Sequence, residues 1–94
     1  MASESEELLA RIEDALAGVE SEGGDAFPPM ASVKRQLLWC RDFLLGERDG
    51  PPPGPFTMGL IATRELDMYG DNPGLALEIN LIEGEVGRLL SGAG

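Results

Sequence analysis

Apolar residues recur at spacings of three and four along most of this chain, the period of a helix buried on one side. In residues 4–20 the stripe is Leu8, Ile12, Leu16 and Val19. Ser3 or Ser5 is placed to cap this first predicted helix, and Glu4, Glu6 and Glu7 lie where the helix dipole favours negative charge. The period is lost in ESEGGDAFPP, where Gly23, Gly24, Pro28 and Pro29 predict a loop. A second helix is predicted from about 31 to 45, stopping at Gly46. Val33, Leu37, Cys40 and Leu44 share its inner face; Leu38 and Leu45 flank it on one side, Trp39 and Phe43 on the other. An apolar arc this wide belongs to a central helix of a bundle.

Residues 46–55, GERDGPPPGP, cannot continue a helix, because proline lacks the amide donor and clashes with the preceding turn. They predict a stiff hinge, with a polyproline-type ligand as the alternative. A third helix is predicted over 57–69, with Met58, Ile61, Ala62, Leu66 and Tyr69 inward, Leu60, Thr63, Arg64 and Asp67 outward, and Gly70 as its stop. Asn72 and Pro73 then supply an N-cap and a first helical residue for a fourth helix over 73–90. Leu75, Ile79, Ile82, Val86 and Leu89 make its stripe. Leu75, Leu77, Ile79 and Leu81 also alternate as a strand would, but the longer helical repeat and the lack of a partner strand decide for helix. Gly84 and Gly87 each weaken that helix by about 1 kcal/mol. The expected architecture is all-α, a small antiparallel four-helix bundle forming a single domain over residues 1–94.

Composition narrows the function. The formal net charge is −10, with seven Lys+Arg against seventeen Asp+Glu. That balance speaks against nucleic acid, whose binding requires cations facing phosphate, and against anionic lipid. It favours a basic protein partner, with plain solubility as the alternative meaning. Histidine is absent, removing the commonest general base and metal ligand. The lone Cys40 leaves neither an intramolecular disulfide nor a cysteine-based zinc site, and within the apolar stripe it reads as a small buried hydrophobe. The opening MASESEELL is acidic where a secretory leader is basic, and no apolar run approaches the roughly 20 residues that cross a bilayer. The expectation is a cytoplasmic protein with no catalytic residue, cofactor or metal.

A few side chains need individual explanation. Glu65 falls on the predicted inner face and needs a cation, with Arg35 or Arg41 as the available partners; it has no companion for acid–base work. Trp39, at the edge of its apolar face, is either a partner contact or packed beneath the first helix or the hinge. Leu77 and Leu81, with Gly84 close by, form either a self-association patch, giving a homodimer, or a contact buried by the N-terminal segment. Glu13-Asp14 and Glu83…Glu85 read as solvated helix faces rather than metal ligands.

Lys34-Arg35-Gln36-Leu37, followed by Arg41 and Leu44-Leu45, and then Met58-Gly59-Leu60-Ile61-Ala62-Thr63-Arg64-Glu65-Leu66-Asp67, give the chain a family likeness. It resembles the short helical immunity proteins of bacterial type VI secretion, in particular those that neutralise an NAD(P)+-glycohydrolase toxin. The matching parts are a KQL…R..LL helix, a break, an LGxIAxKEFD-like helix and a closing helix, over about residues 12–82. The proline-rich break and most of the last helix depart from the family's residues. The resemblance implies an antitoxin that binds the toxin's catalytic domain and blocks access of its dinucleotide substrate. The partner-binding surface expected under it is Leu60, Arg64 and Asp67 together with Trp39. The rival expectation is a helical adaptor or secretion chaperone that binds an effector without inhibiting it.

Overall fold

The computed structural model describes residues 4–48, 52 and 54–91. Ser3, one of the two proposed caps, and Asp49, Gly50, Pro51 and Pro53 of the expected hinge lie outside the described residues. The described chain forms a small all-α bundle, and no strand occurs among those residues. Its helices are α1 (Glu4–Ser21), α2 (Pro28–Leu44), α3 (Met58–Ala62), continued by a π-helical segment (Thr63–Met68), and α4 (Pro73–Leu90).

Each helix packs on the next in sequence, and α4 closes the ring against α1. Side-chain pairs record the antiparallel sense. Arg41 of α2 faces Glu13 of α1 at 3.6 Å, and Lys34, seven residues earlier, faces Glu20 at 2.6 Å. Arg88 near the end of α4 pairs with Glu4 at the start of α1. At the opposite end, Asn72 donates from Nδ2 to Glu22 Oε2 at 3.0 Å.

The apolar stripes meet largely as their spacing dictates, except that Leu16, Leu44 and Leu89, expected on them, are only partly buried and Ala15 takes the core position in α1. Leu8, Ile12, Ala15 and Val19 of α1, Val33, Leu37 and Cys40 of α2, and Leu75, Ile79, Ile82 and Val86 of α4 are buried together. Each fully buried aliphatic side chain of this size contributes about 1.5–3 kcal/mol relative to exposure. The α4 boundary matches the caps read from sequence: Asn72 Oδ1 accepts the Leu75 N–H at 3.3 Å, and Pro73 occupies the first turn. The end of α2 is a full Schellman closure. Gly46 has φ 77°, its N–H donates to Phe43 C=O at 3.1 Å, and the Glu47 N–H donates to Asp42 C=O at 2.9 Å.

Two expectations about local structure are corrected. The expected loop holds a short 3₁₀ turn (Gly24–Ala26), and α2 begins at Pro28 rather than near residue 31. Proline breaks a helix interior, yet in the first turn its missing donor would have no intrahelical acceptor. Pro28 and Pro29 therefore start the helix, which lets Met30 join the core. The predicted third helix changes pitch at Thr63. Beyond that point an i→i+5 pattern sets in, and the Tyr69 N–H donates to Arg64 C=O at 2.9 Å. A π-helix turns less per residue than an α-helix, so later positions lag behind the face that a 3.6-residue period assigns.

Candidate functional site

The short α3 is positioned by side chains of its neighbours. A helix N-terminus leaves several amides without partners, and Thr57 gives no side-chain cap. Gln36 of α2 supplies one in trans: its Oε1 accepts from Thr57 N–H at 2.8 Å and Met58 N–H at 2.9 Å. Its Nε2 donates to Thr57 Oγ1 at 3.0 Å. From the other side, Glu83 of α4 accepts the Gly59 N–H at 3.2 Å, and Asn80 Nδ2 donates to Gly59 C=O at 3.2 Å and Thr63 Oγ1 at 3.0 Å. These two side chains close on Gly59 so tightly that an added Cβ there would fall 2.5 Å from Asn80 Oδ1. Glu83, expected on a solvated face, and Thr63, expected to point away, are thus engaged between α3 and α4. Their role depends on what lies opposite, which periodicity does not report.

Trp39 is corrected from a partner contact to a packing residue. It is only 8% exposed. Its ring stacks on Phe43 with centroids 5.5 Å apart and meets Phe56, just after the hinge, edge-on at 5.8 Å. The returning chain covers the flank of α2 that sequence leaves open, and Trp39 has no face to offer a partner. On the opposite flank, Leu45 is exposed and Leu38 half-buried, while Leu44, expected on the inner face, is only partly buried.

The other three residues of the expected surface are solvent-facing. Leu60 is 70% exposed, the Arg64 side chain about half exposed, and Asp67 exposed. Glu65 is partnered by Arg64, whose Nε lies 2.9 Å from Glu65 Oε2, and by neither Arg35 nor Arg41. Arg41 is instead near Glu13 and Asp42, and Glu65 is served by the residue just before it in the chain. Tyr69, expected inward, is 75% exposed for the same reason, and Met68 beside it is 67% exposed.

The corner after the π-helical segment is tightly built. The Asn72 N–H reaches back to Leu66 C=O at 2.8 Å. Gly70 is pressed so closely on the preceding turn that a Cβ there would lie 2.3 Å from Glu65 O and 2.9 Å from Leu66 Cα. Glycine stops this helix as expected, but through backbone crowding: its φ is not in the left-handed region.

Elsewhere, Leu77 and Leu81 are exposed on α4, with no cover from the N-terminal helix. Asp14 and Glu78 face each other across an open cleft of about 340 Å³ between α1 and α4. Partial burial, then the Asp14 charge and their shared hydrogen bond, raise the Glu78 carboxyl above its ordinary value. Burial, reinforced by the nearby Glu83 carboxylate, pushes the Cys40 thiol up to about 12. A buried neutral thiol is a poor nucleophile and metal ligand. Among the described residues no group of three or more acidic or cysteine side chains converges as a metal cage, and no buried side-chain nitrogen or oxygen lacks a hydrogen bond. Among them, too, no helix is long and apolar enough to cross a membrane.

The geometry therefore offers surfaces for contact. What sequence reasoning missed is the Met68–Tyr69 pair, the in-trans caps from Gln36 and Glu83, and the Asp14–Glu78 pair. The Asp67…Asp71 bracket around two apolar residues was the one available signal for the first of these. No family model matches this chain, and no curated protein or solved structure matches it either.

Proposed function

We propose that this chain is an immunity protein: it binds the catalytic domain of a secreted toxin, of the NAD(P)+-glycohydrolase kind, and blocks its active site. The observation that carries the reading is the distribution of charge over a rigid bundle. Lys34, Arg41, Arg48, Arg64 and Arg88 each lie within ion-pair distance of a carboxylate of the same chain. Five of the seven cations are thus paired within the chain, and the excess acid faces outward. Such a surface complements a cleft lined by cations, as a site that binds a dinucleotide pyrophosphate requires, and its field speeds encounter. The residue-level resemblance in α2 and α3 points the same way. Leu60, Arg64 and Asp67 remain the expected contacts; Trp39 is withdrawn because it is buried.

Purified chain added to a toxin domain encoded beside its gene tests the reading. Loss of dinucleotide cleavage at near-stoichiometric amounts is expected. A toxin that binds the chain yet stays fully active would instead identify an adaptor or secretion chaperone. Charge reversal at Arg64 and Asp67 should weaken protection, and unchanged protection would remove that patch from the contact.

A further inference from the structure

We propose that the corner spanning residues 67–71, Asp-Met-Tyr-Gly-Asp, is the anchor by which this chain docks onto a protein partner, its Met68 and Tyr69 entering an apolar pocket rimmed by Lys or Arg. The inference rests on the immunity reading and names the feature that would give it affinity. Three observations converge on this corner. Met68 and Tyr69 are the large hydrophobic neighbours that lie adjacent in sequence and are both more than half exposed. Methionine and tyrosine are enriched at protein interfaces, and tyrosine orders at little entropic cost because only two torsions need fixing.

The corner is also held in place before any partner arrives. Its backbone is secured by the Tyr69 N–H to Arg64 C=O bond at 2.9 Å and the Asn72 N–H to Leu66 C=O bond at 2.8 Å. The Asn72–Glu22 bond at 3.0 Å ties it to the end of α1. The close seat of Gly70 on the Glu65 carbonyl leaves little room for rearrangement. A preorganised projection loses less entropy on docking than a mobile loop does.

Charge decides the occupant. Asp67 and Asp71 are exposed, and no ion pair or hydrogen bond involves either carboxylate among the described residues. They bracket Met68 and Tyr69 with uncompensated negative charge, which calls for cations around the receiving pocket. A second copy of this chain is a poor occupant, since two surfaces of net charge −10 repel and the corner would meet its own kind. The Leu77–Leu81 face lacks this bracket: Arg11 and Glu78 border it with opposite charges.

The test is calorimetric titration of the purified neighbouring toxin domain with the full chain and three variants. Met68 and Tyr69 are exposed, so truncation should leave the helical circular dichroism and melting temperature unchanged. Tyr69→Ala is expected to weaken binding about 30-fold or more, as loss of a central anchor does. In stopped-flow mixing with the same domain, the Asp67→Asn/Asp71→Asn double variant should slow association about tenfold at low salt and flatten its salt dependence. Leu77→Ala/Leu81→Ala should stay within threefold of the unaltered chain. Tight binding by the unaltered chain together with undiminished binding by Tyr69→Ala overturns the corner and leaves the immunity reading standing. No binding by the unaltered chain overturns both. A large loss in Leu77→Ala/Leu81→Ala with none in Tyr69→Ala moves the anchor to α4 and refutes the proposal.

Discussion

Alanine in place of glycine should act with opposite sign at two positions of this chain. At Gly70 an added Cβ would sit 2.3 Å from the Glu65 carbonyl oxygen, 2.9 Å from Leu66 Cα and 3.1 Å from Leu66 O. All three obstacles are backbone atoms, so no side chain can rotate away, and the corner itself must open. Overpacking of this kind costs about 1–3 kcal/mol, and backbone obstacles place it near the top of that range. Alanine also restricts the unfolded chain, returning about 0.4–1 kcal/mol. The net expectation is a loss of about 2 kcal/mol, a fall in melting temperature of about 8–16 °C for a domain of this size. Gly84, inside α4 and exposed, has nothing within 4 Å of its ideal Cβ. There alanine removes only the entropic penalty of glycine, for a gain of about 0.5–1 kcal/mol. Urea unfolding followed by circular dichroism at 222 nm reads both. A Gly70→Ala variant within about 0.5 kcal/mol of the unaltered protein would refute the crowding argument. So would equal shifts of the same sign at both sites.

Three further outcomes follow from other contacts. Gln36→Ala strips the acceptor from the Thr57 and Met58 amides and should cost about 1–3 kcal/mol in urea unfolding, a large effect for a partly buried glutamine. Cys40, fully buried with its thiol pushed up to about 12, should react with a disulfide reagent at pH 8 at least roughly 1,000-fold more slowly than in urea. Comparable rates in the two states would show that the α2 stripe is open. The Glu78 carboxyl titrates above its ordinary value of 4.5 in the fold, so its protonated form is favoured there. Its contribution to stability is full below 4.5 and declines as pH rises through the raised value. Glu78→Gln should remove that decline and stabilise the protein at pH 7 by about 0.5 kcal/mol, a solvent-screened amount. A thermal melt series from pH 4 to 8 tests this, and an unchanged pH slope in the variant would contradict it.

How much was legible in advance varies along the chain. The α4 helix could be read almost to the residue, because Asn72 caps it, Pro73 opens it and its stripe repeats without interruption. The inner faces of α1 and α2 were legible for the same reason. Pro28 and Pro29 were misjudged because a proline pair has opposite meanings inside a helix and at its first turn. At the candidate site, Leu60, Arg64 and Asp67 were correctly expected to face solvent. Tyr69, expected inward, is exposed, and Trp39, for which sequence left partner contact and packing at the hinge both open, is buried.

Sequence by itself therefore determined what local interactions determine: four helices, their apolar stripes, the Asn72 and Gly46 ends, and an excess of carboxylates. Those features depend on residues within about four positions of one another, and their period is visible along one dimension. The tertiary structure decided everything that depends on a neighbour distant in the chain. Phe56 returning across the hinge buries Trp39. Gln36 and Glu83, reaching from two other helices, supply the cap that Thr57 lacks. The change to π pitch after Thr63 turns Tyr69 outward and sets Met68 and Tyr69 between two unpaired aspartates. Helical periodicity assumes one constant pitch and is blind to the partner opposite, and at this corner both the pitch and the partners govern which residues reach the surface.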